Sequence, residues 1–187
     1  MKRILAIPGS LRLGSYNRRL LLEIAKALRG RAEVEIFDLH PIPMYNQDMD
    51  VDGGPEVVRD LKRRVAEADA VIFATPEYNG SVPGVLKNAI DWLSRPAGQS
   101  VLRDKPVAIL GASTGRGATQ RAQEHLRFVL SRIGARVFES AQVQMSGAGE
   151  RFAEDGSLAD EVSREQLRAF TDGVLSWLED EELAQAG

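Results

Sequence analysis

Three short apolar runs constrain this chain more than any other feature. Residues 3–8 (RILAIP), 70–75 (AVIFAT) and 107–112 (VAILGA) read as strands that are apolar on both alternating faces. A strand of that kind is covered on both sides, the condition of a parallel sheet between two layers of helix. Helical patterns separate the runs. Leu20, Leu21, Ile24 and Leu28 recur at helix spacing up to Gly30, and Val58, Leu61, Val65 and Ala68 follow Pro55, a favoured first-turn residue. Further helices are predicted from about Pro83 to Ser94 and from about Ala118 to Ile133. Strands at 34–39 (VEIFDL) and 136–143 (RVFESAQV) complete five βα units. A last helix carries Leu167, Phe170, Val174, Trp177 and Leu178, with Ser163 and Gln166 spaced as a capping box. Right-handed crossovers allow the strand order 2-1-3-4-5, and residues 1–187 are predicted to form one α/β domain.

In that order the loops after strands one, three and four gather at the carboxyl edge, beside the switch point where open α/β sheets bind ligands. The first of them is PGSLRLGSYN, residues 8–17. Between a buried strand and a helix it offers free N–H groups and the positive end of a helix dipole, which suits an anion. It is not a P-loop, because Gly14 is followed by Ser15 and Tyr16 and not by Lys and a hydroxyl residue. Nor is it a dinucleotide fingerprint, because Gly9 is followed by Ser10, Leu11 and Arg12. Side-chain donors remain: the hydroxyls of Ser10 and Ser15, the amide of Asn17 and the charge of Arg12. Such a set can surround a terminal phosphate monoester, and so points to a mononucleotide. The competing reading is an ordinary polar loop with Ser15 or Asn17 as the helix cap.

Charge and composition narrow the ligand class. The formal net charge is −3 and the sequence pI about 5.5, so no basic field serves a nucleic-acid partner. With no cysteine, disulfides, thiolate metal sites and a Cys nucleophile are excluded. Met-Lys-Arg and the short apolar stretch ending at Pro8 are too brief for a signal peptide, and no apolar run approaches a membrane span. A cytoplasmic protein with neither nucleic acid nor membrane as partner is expected.

The second loop opens TPEYNGSVPGVLKNAIDW, residues 75–92. Pro76 and Gly80 set the backbone so that the N–H groups of Glu77 to Gly80 can face a flat heterocycle, and Tyr78 can pack on its face or edge. The third, GASTGRGAT at 111–119, has Gly115 and Gly117 for close approach of the main chain and Ser113 and Thr114 as donors. A phosphate loop with two such neighbours outlines a phosphorylated ribityl chain ending in a planar ring, an outline that FMN fits.

With those residues in view, the chain closely resembles the NADPH-dependent FMN reductase family of the flavodoxin-like fold, and within it the quinone and chromate reductase branch. GSLRLGSYN at 9–17, PEYNGSVPGVLKNAIDWLSR at 76–95 and GASTGRGATQ at 111–120 carry the match. The resemblance implies contact with the FMN phosphate by Ser10, Arg12, Ser15 and Asn17 and by the backbone of Tyr16. It implies ring contact by Pro76, Glu77, Tyr78, Asn79 and Gly80, with Ser113, Thr114, Gly115, Arg116 and Gly117 along the opposite edge. It further implies ping-pong chemistry in which NADPH or NADH reduces FMN and a small acceptor takes the electrons, with flavin N5 and no side chain carrying the hydride. Arg116 at the pocket lip is a candidate partner for an NADPH phosphate, with a solvent-facing loop charge as the competing reading. A homodimer or homotetramer paired through about Val82 to Leu93 is also implied.

Two rivals are weighed against this. A flavodoxin-like electron carrier also uses a hydroxyl-rich phosphate loop, but carriers are strongly acidic, whereas this chain is mildly so and places Arg12 in the loop. Gly111-Ala112-Ser113-Thr114-Gly115 matches the G-x-S-x-G of hydrolases, yet the only later histidine, His125, falls in the helix that this loop opens and cannot fold back. His40 and His125 show no metal-ligand spacing, and Asp48, Asp50 and Asp52 lack the closing glutamate of a calcium loop. The loop at 40–54 reads as a wall beside the ring.

Overall fold

The computed structural model describes residues 1–186; Gly187, the last position of the predicted domain, lies outside them. Strand β1 (Lys2–Pro8) lies between β2 and β3, and the order β2-β1-β3-β4-β5 is that expected, all neighbours parallel. The other strands of this order are β2 (Ala32–Ile36), β3 (Ala70–Ala74), β4 (Pro106–Ala112) and β5 (Arg136–Val137). One correction falls on the edge. The single strand predicted at 136–143 is two pieces, β5 and β6 (Val143–Met145), which pair with β4 in succession. Phe138 follows β5 into the core and meets Phe170 edge-on, while residues 139–142 leave the ladder before Val143 rejoins it. An edge strand has one pairing partner, so an excursion there disrupts little.

Alternation along the strands builds two cores. Ile4, Ala6, Ile72 and Leu110 face α1 (Tyr16–Ala27) and the long helix α6 (Glu161–Ala186), through Leu20, Leu21, Ile24, Phe170 and Val174. Leu5, Ile7, Phe73 and Ile109 face the other layer, α2 (Glu56–Glu67), α3 (Gly84–Leu93) and α4 (Gln120–Arg132), through Leu61, Val65, Ile90, Trp92 and Leu126. A short helix α5 (Ala148–Arg151) follows β6. The cap of α6 differs from prediction. Asp160 holds that position, accepting from the Ser163 N–H at 2.9 Å and the Ser163 hydroxyl at 2.8 Å, so Ser163 lies inside the helix. The aspartate, one step before the helix, matches the first-turn donors better than a serine already within it. Among the described residues no helix is long and apolar enough to cross a membrane.

Candidate active site

Loop one leaves β1 at Pro8 and is held close to the sheet. The Gly9 N–H donates to the Ala74 carbonyl at 2.8 Å, and a methyl at Gly9 would meet Leu86 at 2.9 Å. Ser15 is buried and caps α1, its Oγ accepting from the Arg18 N–H at 3.3 Å. Ser10 Oγ lies 3.4 Å from the Arg12 N–H. The next two N–H groups, of Tyr16 and Asn17, are first-turn groups without an intrahelical partner. Asn17 is used differently from the reading above: its amide accepts from the Ala112 N–H and donates to the Ala112 carbonyl, both at 2.9 Å. The side chain therefore ties loop one to the end of β4, and for an anion it leaves one amide hydrogen and the main-chain N–H.

The charge around this turn is unusual. Helix N-termini favour acidic residues, yet the first turn of α1 has none, and its third and fourth positions are Arg18 and Arg19. With Arg12 this places three arginines in or just before the first turn of a helix. Among the described residues none of the three has a salt bridge; Arg18 lies within electrostatic reach of Asp38, and Arg18 and Arg19 line a pocket with Glu23, Glu154 and Asp155. A bound dianion relieves that arrangement. The sequence reading did not single out Arg18 and Arg19; the absence of Asp and Glu from the first turn is the signal that draws attention to them.

Loop two is a tight hairpin. Tyr78 and Ser81 exchange both main-chain bonds, at 3.1 and 3.0 Å, and Asn79 and Gly80 both adopt positive φ, 53° and 72°, as a two-residue turn of this kind requires. The Tyr78 N–H is thus taken up inside the turn, a correction to the idea that all four N–H groups from Glu77 to Gly80 face the ligand. Those of Glu77, Asn79 and Gly80 take no partner among the described residues. Tyr78 is 52% exposed, and Pro76, two residues before it, is buried. The carboxylate of Glu77 is also engaged: it accepts from the Ala122 N–H at 3.1 Å and lies 3.6 Å from Arg121, capping α4 in place of Thr119, which makes no side-chain cap.

Further along the same segment, Asn88 and Trp92 explain residues that no ligand argument predicted. Asn88 accepts from the Tyr45 N–H at 2.7 Å and donates to the Pro43 carbonyl at 2.9 Å, and Trp92 Nε1 donates to the same carbonyl at 2.8 Å. They fasten the loop after β2 to α3, with the Tyr45 ring edge-on to Trp92 at 4.8 Å.

Loop three starts at a forced glycine. A methyl at Gly111 would lie 2.2 Å from the Thr75 carbonyl oxygen. The G-x-S-x-G pattern thus begins with a packing requirement, and Ser113 Oγ accepts from the Gly115 N–H at 3.2 Å while His125 faces Ser81 at 3.0 Å. Thr114, Gly115, Arg116 and Gly117 are exposed at the rim. Ser113 is bonded through its main chain to Met145 and Ala148, which brings the segment after β6 alongside. A cavity of about 630 Å³ opens there, lined by Thr114, Arg116, Ser146, Gly147, Glu150, Arg151 and Asp160; its charges balance, so by itself it selects no ligand sign.

The three loops are therefore laced together at the switch point of the sheet, and comparison with known proteins places them in a family. The sequence profile of NADPH-dependent FMN reductases matches residues 2–150. The chain belongs to this family. It is similar to the NAD(P)H-dependent FMN reductase of Pseudomonas aeruginosa, 42% identical over 94% of this chain and 95% of that one. It is 39% identical to the 2-hydroxy-1,4-benzoquinone reductase of a Burkholderia species, over 95% and 97% of the two chains. Among solved structures, the flavoenzyme NAD(P)H:(acceptor) oxidoreductase FerB of Paracoccus denitrificans superposes with a TM-score of 0.89 at 37% identity, covering 96% of this chain and 98% of that one. Like other members of the FMN reductase family, the chain has the flavodoxin-like fold and is an NAD(P)H-dependent flavin oxidoreductase. The acid-free, arginine-bearing turn fits the phosphate of FMN, and the open N–H groups of loops two and three fit the polar edge of its ring.

Proposed function

We propose that this oxidoreductase holds FMN across loops one to three and passes electrons from NADPH or NADH to a quinone or similar small acceptor by ping-pong turnover, in the cytoplasm. The observation that carries the proposal is the first turn of α1, where three arginines fall in or just before a helix N-terminus that has no acid of its own. FMN, when bound, supplies hydride acceptance and release at N5, so no protein acid or nucleophile is required. The chain supplies the rest. Ser10, Arg12, Ser15, Tyr16 and Asn17 hold the phosphate, with Asn17 acting through its N–H groups. Pro76, Glu77, Tyr78, Asn79 and Gly80 border the ring on one side, Ser113, Thr114, Gly115, Arg116 and Gly117 on the other. Main-chain N–H groups turned to the pyrimidine edge favour the reduced state, where negative charge collects.

The named activities of the Burkholderia and Pseudomonas putida relatives support a quinone as acceptor. Arg116, exposed and unpaired among the described residues, is assigned to an NADPH phosphate; a Michaelis constant for NADPH unchanged in Arg116→Ala removes that assignment. A homodimer or homotetramer formed through 82–93 is proposed as well. Leu86, Ala89, Ile90, Trp92 and Leu93 are buried within the protomer, so the outward Val85, Lys87 and Asp91, with Phe128 of α4, 68% exposed, are the surface left for a partner. Light scattering on the purified protein reads the assembly. The functional test is anaerobic mixing of the yellow protein with NADPH or NADH: rapid bleaching near 450 nm, reversed on adding a benzoquinone, is expected, and a carrier that neither nucleotide reduces contradicts the proposal.

A further inference from the structure

Tyr16 follows the Ser15 cap directly, and its ring is a fixed surface. It stacks on Phe152, centroids 5.7 Å and planes 22° apart, and Phe152 is itself buried and bridged to Leu158. The ring packs against the core that α1 and α6 share. Over it lies the Arg12 guanidinium, its Cζ 5.1 Å from the ring centroid, with that of Arg19 at 5.7 Å. Arg12 is otherwise an exposed loop residue whose side chain makes no ion pair and no hydrogen bond among the described residues. A long side chain on such a loop samples many rotamers, and ordering it when a ligand arrives weakens binding.

We propose that Tyr16 is a positioning residue for cofactor capture: its ring face holds the Arg12 guanidinium beside the N-terminus of α1, so that the phosphate of FMN meets an ordered cation. The inference rests on the reading that loop one holds that phosphate. It assigns the work to the ring and not to the hydroxyl, and it requires the effect to vanish when either Arg12 or the phosphate is absent.

Equilibrium binding to the full-length, flavin-free protein tests this, with flavin fluorescence as the signal and FMN and riboflavin as the two probes. Tyr16→Leu is expected to weaken FMN by about threefold to tenfold, the equivalent of a cation–π contact at a half-exposed position. Tyr16→Phe retains wild-type affinity, riboflavin binds wild type and Tyr16→Leu alike, and Tyr16→Leu adds nothing in an Arg12→Ala background. A loss that persists in that background, or that is equal for riboflavin, shows that Tyr16 does not act through Arg12 on the phosphate and overturns the proposal. If Arg12→Ala by itself leaves FMN affinity unchanged, the assignment of the phosphate to Arg12 fails, and the positioning role with it. That failure is distinguishable because the variant keeps Tyr16.

Discussion

A methyl group at Gly111 would stand 2.2 Å from the Thr75 carbonyl oxygen and 2.5 Å from Thr119 Oγ1, where no side chain can move aside without opening the floor between loops two and three. Gly111→Ala is therefore expected to destabilise the protein by about 3 kcal/mol, seen as a lower urea midpoint at unchanged slope. Asp160 supplies a second test at this scale. The Ser163 N–H and hydroxyl, with Arg151 nearby, hold its carboxyl below the ordinary aspartate value of 3.8. A depressed carboxyl contributes its full stability above that ordinary value and loses it as the pH falls through the depressed one. Asp160→Ala should cost about 1 kcal/mol at neutral pH, with the gap to wild type closing in strong acid. A gap independent of pH contradicts the assignment of the cap.

At the scale of elements, the segments with the least ambiguous patterns are the ones buried on both sides. β1, β3 and β4 were legible because neither face of these strands meets water, and α1 and α2 because Leu20, Leu21 and Ile24, or Val58, Leu61 and Val65, each mark one apolar stripe. The edge was misread because Val137, Phe138 and Val143 are apolar whether or not the chain between them stays in the ladder. The loops of the site were legible as places, since strand order alone brings them together. Their internal bonds were not. Asn17 meets Ala112 across 95 positions, and Glu77 meets Ala122 across 45, and no local periodicity encodes a pairing of that span. Asn88 belongs to the same class, and removing it tests the point. Asn88→Ala leaves the Tyr45 N–H without its partner, while the Pro43 carbonyl keeps only its bond from Trp92 Nε1. It should cost about 1–2 kcal/mol and speed amide exchange at Tyr45, while exchange in β1 follows only the global loss. Unchanged exchange at Tyr45 means the loop is fastened elsewhere.

For the whole molecule, the distribution of charge matters more than its sum. The chain is mildly acidic, with a formal net charge of −3, yet Arg12, Arg18 and Arg19 crowd one helix end at the carboxyl edge of the sheet. A scaffold that needed only to close this turn would place an aspartate or glutamate there. The arrangement becomes favourable when an anion is added, which makes ligand binding and stability two views of one cluster. FMN should raise the melting temperature, and its affinity should fall with salt because the phosphate contacts lie near the surface. The most direct measurement is the ratio of dissociation constants for riboflavin and FMN on the same flavin-free protein at low salt. Two or more charge-assisted contacts to the phosphate predict that FMN binds at least about a hundredfold more tightly. Equal affinity for the two flavins would contradict the account.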